Sequence, residues 1–183
     1  MTIIIPNRSE KNIDLVVDNI KRLFPHARVI VSNDHNGKGK GWALSQGLYG
    51  AIRLPVVFID GDMDINPREI TKLLPYLFDH DVVVGRKKLP KVFKRRFITK
   101  LSRLYIRLLF GINFDTQTGI KAFNYIPKWK VDGWASDIEI LYRAKLSGKR
   151  IAEVPINATV SDSKTVKDLW KTLLDSIKIR LSV

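Results

Sequence analysis

The sequence predicts an α/β domain: a mostly parallel sheet flanked by helices, with an amphipathic helix at the C-terminus. Three observations carry that expectation. Short apolar runs alternate with segments of helical spacing through the first half of the chain. One run, Val56-Val57-Phe58-Ile59, ends in an acidic turn, Asp60-Gly61-Asp62-Met63-Asp64. A second amphipathic pattern occupies the last residues, from Thr165 to Leu181.

Thr2 to Ile5 and Arg28 to Val31 read as strands, and between them Ile13, Val16, Val17, Ile20 and Leu23 fall on one side of a helix. This order is a βαβ unit. A Gly-rich loop, Asn36 to Gly41, opens a second helix from Trp42 to about Ile52. Strands Val56 to Ile59 and Asp81 to Val84 follow, with a helix from Pro67 to Phe78 between them. Lys91 to Phe110 reads as a long helix with Phe93, Phe97, Leu101, Leu104, Tyr105 and Leu108 on one face, and Arg96, Lys100, Arg103 and Arg107 along another. A turn at Asp115 to Gly119 leads to a strand, Ile120 to Phe123, then a helix from about Ser136 to Leu146 and a strand from Arg150 to Val154 that ends at Pro155. The tail sets Val166, Leu169, Trp170, Leu173, Leu174, Ile177 and Leu181 against Lys167, Lys171, Lys178 and Arg180.

The 183 residues, 45% of them hydrophobic, suffice for one domain with its own core. There is no cysteine, so disulfide frameworks and thiolate metal sites are excluded. The three histidines are scattered, without metal-ligand spacing. The N-terminus enters a strand directly and lacks the pattern of a signal peptide, and no window reaches the about 18 apolar residues of a membrane span. A net charge of +14 directs the chain toward polyanions: nucleic acid, anionic lipid or phosphorylated substrates. Between Asp81 and Asp115 there is no acidic residue, and ten Lys and Arg crowd that interval.

Like charges as close as Asp60, Asp62 and Asp64 repel unless a cation lies among them, and oxygen ligands without Cys or His select Mg²⁺ or Mn²⁺. The alternative is a solvated turn that caps the following helix. The Gly-rich loop offers backbone N–H groups to a phosphate, or is a flexible turn; it lacks the Walker spacing. The two basic amphipathic helices are solvated faces on a core, nucleic-acid contacts or interfacial membrane helices. RNA-platform and zinc-finger motifs are absent, so nucleic acid is the least supported partner. Asp137 and Glu139, near the start of their helix, suit a capping role.

The order of these segments resembles the family 2 glycosyltransferases of GT-A (Rossmann-like) fold, and within them the polyprenyl-phosphate sugar synthases. Ile3-Ile4-Ile5-Pro6 with Glu10 is similar to the family's opening strand and P-x-x-x-E. Val31-Ser32-Asn33-Asp34 sits where that family has a strand ending in two aspartates that meet the nucleoside, and Asn36 to Leu44 is similar to its N-x-G-K-G-x-A-L. Asp60-Gly61-Asp62 falls on the metal-binding D-x-D, and Gly85-Arg86 on the G-S-R turn. Thr116 to Phe123 resembles T-Q-S-G-F-K-A-F, Asp137 to Leu141 D-x-E-L-L, and Glu153 to Ile156 E-V-P-V.

The resemblance implies a GT-A domain over residues 1–164, followed by a membrane-interfacial helix over 165–183. It implies an inverting, Mg²⁺- or Mn²⁺-dependent transfer from a nucleoside-diphosphate sugar, of GDP-mannose or UDP-glucose type, to a polyprenyl phosphate. The site would be a membrane surface, with the protein peripheral on the cytoplasmic face. Asp60, Asp62 and Asp64 would hold the metal, and Pro6, Glu10, Asn33, Asp34, Lys38, Asp60, Gly61 and Asp62 the nucleotide sugar. Arg86, Arg95, Arg96, Gln117 and Lys164 would hold the acceptor phosphate. Asp62 and Arg86 would act in catalysis, and Asp137 as the base if the acceptor were a hydroxyl. Three departures stand out: relatives insert a helix and a strand between Asp34 and the Gly-rich loop, Ser161 to Lys164 offers only the Lys of an Arg-Ser-Lys pattern, and appended transmembrane helices are missing. The alternatives are a transferase with a soluble glycan acceptor and a non-catalytic basic module on a degenerate transferase fold.

Overall fold

The computed structural model describes residues 1–50, 52–88, 93–159 and 166–182. Strands β1 (Thr2–Asn7), β2 (Arg28–Asn33), β3 (Val56–Ile59), β4 (Val82–Lys87), β5 (Ile120–Phe123) and β6 (Ile151–Ile156) form one sheet in the order β2-β1-β3-β5-β4-β6. β5 runs antiparallel to β3 and β4, and every other pairing is parallel. The reversed strand matters for the site: its first residues lie at the same sheet edge as the carboxyl end of β3, and Asp60 donates its backbone N–H to the Gly119 carbonyl at 2.9 Å.

Successive strand residues point to opposite faces, so Ile3-Ile4-Ile5 is shared between two cores. Ile3 and Ile5 pack with Val16 and Ile20 of α1 (Ile13–Leu23) and with Ile70 and Leu73 of the short α3 (Ile70–Leu73). On the other face Ile4, Val56 and Phe58 meet Leu44 of α2 (Lys40–Gly47), Ile106 and Phe110 of α4 (Phe93–Phe110), Ile138 and Leu141 of α5 (Ser136–Leu146) and Ile179 of α6 (Val166–Ser182). β2 is a sheet edge because the chain passes from it directly into the Gly-rich loop.

Three expectations are corrected. The Pro67 to Phe78 helix is broken into a 3₁₀ turn (Pro67–Glu69), α3 and a second 3₁₀ turn (Leu74–Phe78), because Pro75 has no N–H and its ring obstructs a continuous helix. The last strand runs through Pro155 to Ile156; at an edge strand the missing donor costs no ladder bond. The second helix spans Lys40–Gly47, so Lys40 starts it.

The apolar face read along α4, Tyr105 apart, does not enter the core. Phe93 (83% exposed), Phe97 (61%), Leu101 (56%), Leu104 (50%) and Leu108 (78%) form an outward ridge, while Ile106 and Phe110 do the packing. α6 behaves alike: Ser176 and Ile179 are buried, and Leu174, Ile177 and Leu181 face out. The Tyr105 and Ser176 hydroxyls, 3.0 Å apart, join the two helices.

Candidate active site

Beyond the carboxyl ends of β1, β2 and β3 lies a cavity of about 130 Å³ lined by Pro6, Asn7, Arg8, Glu10, Asp34, Gly39, Lys40, Ala43, Asp60, Gly61, Asp62 and Trp134. Its wall is the Gly-rich loop, held by Asp34, whose carboxylate accepts the backbone N–H groups of Lys38 (2.8 Å) and Gly39 (2.7 Å). Gly39 has φ 122°, and a Cβ there would meet the Asp132 carbonyl at 2.7 Å; a Cβ on Gly41 would overlap the Val131 carbonyl and Ser136. Only glycine lets this loop lie so close to the segment that enters α5.

A chain of alternating charges runs inward from the cavity. Lys40 Nζ lies 2.8 Å from Asp60 Oδ1 and 3.0 Å from Asp137 Oδ2, and Lys121 Nζ lies 2.7 Å from Asp137 Oδ1. Lys121 also donates to the Thr118 carbonyl at 2.6 Å. Burial alone would lower the Lys40 ammonium, yet the Asp137 and Asp60 carboxylates hold it above the usual lysine value. Burial opposes the charge on Asp137 too, but Lys121 and Lys40 keep its carboxyl below the ordinary range. For Lys121 burial wins, and the ammonium sits below its usual value. Gly119 leaves room for this arrangement, since a Cβ would overlap the Asp60 carboxylate.

At the mouth, burial and then the charges of Asp62, Asp60 and Asp64 push Glu10 up, and burial with Asp60 does the same to Asp62. Ser9 and Met63, non-glycine residues with φ 62° and 63°, bend the two turns that carry these acids. Such strain concentrates at functional sites. Among the described residues no three His, Asp or Glu side chains converge as a complete metal cage. Of the expected trio, Asp60 and Asp62 line the cavity and Asp64 does not, although its charge reaches both Glu10 and Asp62. Asp64 donates its backbone N–H to Asp62 Oδ1 (3.0 Å), and its carbonyl accepts from the Thr159 hydroxyl (3.0 Å). Repelling carboxylates on one mouth nonetheless fit Mg²⁺ or Mn²⁺, which use one or two carboxylates and complete their shell with water and substrate phosphates.

A second cavity, of about 220 Å³, opens at the carboxyl end of β4 and is lined by Arg86, Arg103, Ile112, Asn113, Phe114, Asp115 and Glu153. Arg86 pairs with Glu153 at 3.4 Å and Arg103 with Asp115 at 2.8 Å. Glu153 also accepts the Asp115 backbone N–H at 2.6 Å. Both cavities lie along one edge of the sheet, with the start of β5 between them.

No family model matches the chain. The undecaprenyl-phosphate mannosyltransferase of Micrococcus luteus is 28% identical over 132 residues, covering 64% of this chain and 52% of that protein. The dolichyl-phosphate beta-glucosyltransferase of Dictyostelium discoideum is 26% identical over 205 residues, covering 97% of this chain and 62% of that protein. The chain thus spans between half and two thirds of the length of these curated relatives. The crystal structure of glucosyl-3-phosphoglycerate synthase from Mycobacterium tuberculosis, in complex with Mn²⁺, UDP-Glc and phosphoglyceric acid, matches with TM-score 0.78 at 19% identity, covering 99% of this chain and 78% of that one. The chain has the GT-A glycosyltransferase fold.

On this GT-A frame Pro6, Glu10, Asp34, Asp60, Gly61 and Asp62 come together around the first cavity, and Arg86 lines the second. Other expected residues do not join them. Asn33 is exposed, its side-chain oxygen accepting from Asn7 at 2.7 Å. Lys38 lies over the Trp42 ring, 5.0 Å from its centroid, and Lys40 takes the place in the cavity expected of Lys38. Read backward from Ala43-Leu44, the G-K-G of the motif falls on Gly39-Lys40-Gly41, a signal present in the sequence. Arg96 and Gln117 are exposed and line neither cavity. The Arg95 side chain and Lys164 lie outside the described residues. Arg103, missed as a site residue, sits three and seven positions before the buried Ile106 and Phe110, on the stripe of α4 that turns inward. Asp137, expected as a base, is tied to two ammonium groups, which weakens it for proton abstraction.

Proposed function

We propose that the protein is a metal-dependent inverting glycosyltransferase. In this reading it moves a sugar from a nucleoside-diphosphate sugar, of GDP-mannose or UDP-glucose type, to a polyprenyl phosphate at the cytoplasmic face of a membrane. The observation that carries the reading is the pairing, on one sheet edge, of an acidic cavity with an arginine-lined one. Asp60 and Asp62 would hold Mg²⁺ or Mn²⁺, which neutralises the leaving diphosphate. Lys40 adds a fixed ammonium beside them. Arg86 and Arg103 suit an anionic acceptor, since guanidinium groups grip phosphate through paired N–H donors. A phosphate oxygen is already anionic near neutral pH, so no strong base is needed. The engagement of Asp137 by Lys40 and Lys121 supports this acceptor over a sugar hydroxyl.

No helix among the described residues is long and apolar enough to cross a membrane. Attachment is instead proposed through the exposed ridge of α4 and the outward Leu174, Ile177 and Leu181 of α6. The net charge of +14 suits the anionic cytoplasmic leaflet. Incubation with Mn²⁺, a panel of nucleotide sugars and vesicles containing polyprenyl phosphate should yield a glycolipid with one donor class. Folded protein that yields none with any donor overturns the reading. A second reading, a basic membrane-binding module on a degenerate fold, draws on Asp34, whose two oxygens hold the loop rather than face a nucleoside. Salt-sensitive vesicle binding that nucleotide sugars leave unchanged would favour it.

A further inference from the structure

We propose that Lys40 is a resident cation of the donor site, which occupies Asp60 against a divalent metal and is handed to the diphosphate when the donor arrives. The inference rests on the transferase reading above and assigns a role to a residue which that reading leaves as fixed charge. Its ground is the contact geometry. Lys40 Nζ sits between Asp60 Oδ1 at 2.8 Å and Asp137 Oδ2 at 3.0 Å, its side chain 7% exposed, and it lines the cavity. An oxygen engaged by an ammonium at 2.8 Å is not at full strength as a metal ligand. A bare metal ion must therefore displace Lys40 from Asp60 or share the carboxylate with it.

A bound diphosphate changes that balance. It would offer the ammonium a new anionic partner, and Asp60 would then be free to hold a divalent metal. Asp137 does not follow Lys40 outward, because Lys121 holds its other oxygen from the buried side at 2.7 Å. Lys40 thus turns about a fixed anchor, and Lys121 is a positioning residue that keeps the anchor in place. Charge is conserved in each exchange: one ammonium leaves a carboxylate for a phosphate, and one metal takes the carboxylate.

The consequence has two opposite signs, which general loosening of the site would not produce. Removal of the Lys40 charge should tighten the binding of bare metal and weaken the binding of diphosphate without metal. Mn²⁺ alone, and UDP or GDP in chelator, should be titrated into the wild type, Lys40→Gln and Lys40→Arg by calorimetry. The Gln variant is expected to bind bare Mn²⁺ about tenfold tighter and metal-free nucleotide about tenfold weaker, the Arg variant to keep wild-type behaviour on both. Lys121→Met removes none of the side chains that line the cavity. It should tighten bare Mn²⁺ in the same direction by less, since an unclamped Asp137 draws Lys40 off Asp60. If neither Lys40→Gln nor Lys121→Met binds bare Mn²⁺ more tightly than the wild type, the proposal is overturned and the transferase reading stands. A folded wild type that binds neither metal nor nucleotide overturns the reading on which the proposal rests.

Discussion

The two cavities hold their charges in different ways. In the first, Lys40, Lys121 and Asp137 have side chains 7%, 1% and 6% exposed, and their contacts tie α2, β5, α5 and the end of β3 together. In the second, Arg86 is 58% exposed and meets Glu153 at 3.4 Å, and Arg103 is 34% exposed. Buried ions are costly to desolvate and costly to separate, so they persist in one arrangement. Exposed pairs contribute little and change partners readily. On the proposed reading, the buried Asp137–Lys121 pair is the fixed anchor of the donor side about which Lys40 turns, and the acceptor side keeps its arginines available for exchange. The apolar ridge of α4 extends the second character: it is exposed surface, which the proposed reading gives to the membrane.

The contrast can be broken in four places, taken from the largest expected effect to the smallest. Asp62→Asn removes a proposed metal ligand and should lower transfer roughly 100- to 1000-fold in a glycolipid assay, with little change in melting temperature; unchanged turnover removes Asp62 from the site. Asp137→Asn should cost about 3–5 kcal/mol in denaturant unfolding, because two buried ammonium groups lose their carboxylate, whereas Arg86→Gln should cost less than about 1 kcal/mol. Equal costs would erase the difference between the cavities.

The same Asp137 sets a pH dependence. Its carboxyl is held below the ordinary value of 3.8, so its contribution is fully present above that value and is lost as pH falls through the lower folded-state pKa. Acid unfolding of the wild type should steepen below that point, and Asp137→Asn should lack this component. On α4, Leu104→Lys should shift stability by no more than about 0.5 kcal/mol, since the side chain is half exposed, yet reduce co-sedimentation with anionic vesicles. Undiminished vesicle binding would place the membrane contact elsewhere. Smallest is Met63→Gly, which relieves a φ of 63° but gives up the packing of Met63 against the core, and should change stability by less than about 0.5 kcal/mol. A gain of about 1 kcal/mol or more would show that strain outweighs packing at this turn.

Local patterns were legible where one force decided them. β3, β5 and α5 fall on the residues read from apolar runs and helical spacing, because the two strands are fully buried and α5 is buried over its first seven residues. The direction of β5 was not legible, since a four-residue strand carries no sign of which neighbours it joins. Helical spacing also hid Pro75, whose effect depends on backbone rather than side-chain pattern. In the site, Asp60, Asp62 and Arg86 announced themselves by their place after strands. Lys38 and Lys40 differ only in which of two adjacent Gly-Lys steps turns inward, and the packing of Gly39 and Gly41 against residues 131–133 decides that. Arg103 was hidden among ten cations; only the packing of Ile106 and Phe110 shows which one faces the sheet. The α4 ridge misleads in the opposite sense, because apolar spacing alone does not say whether core, membrane or partner covers it.

The central claim is that donor and acceptor are bound by separate cavities on one sheet edge, and the Arg86→Gln/Arg103→Gln double variant tests it most directly. Donor affinity is measured by calorimetry with Mn²⁺ and nucleotide sugar, and the KM for polyprenyl phosphate is measured in vesicles. The account predicts unchanged donor affinity with an acceptor KM raised about tenfold or more. Loss of donor affinity with an unchanged acceptor KM would contradict it.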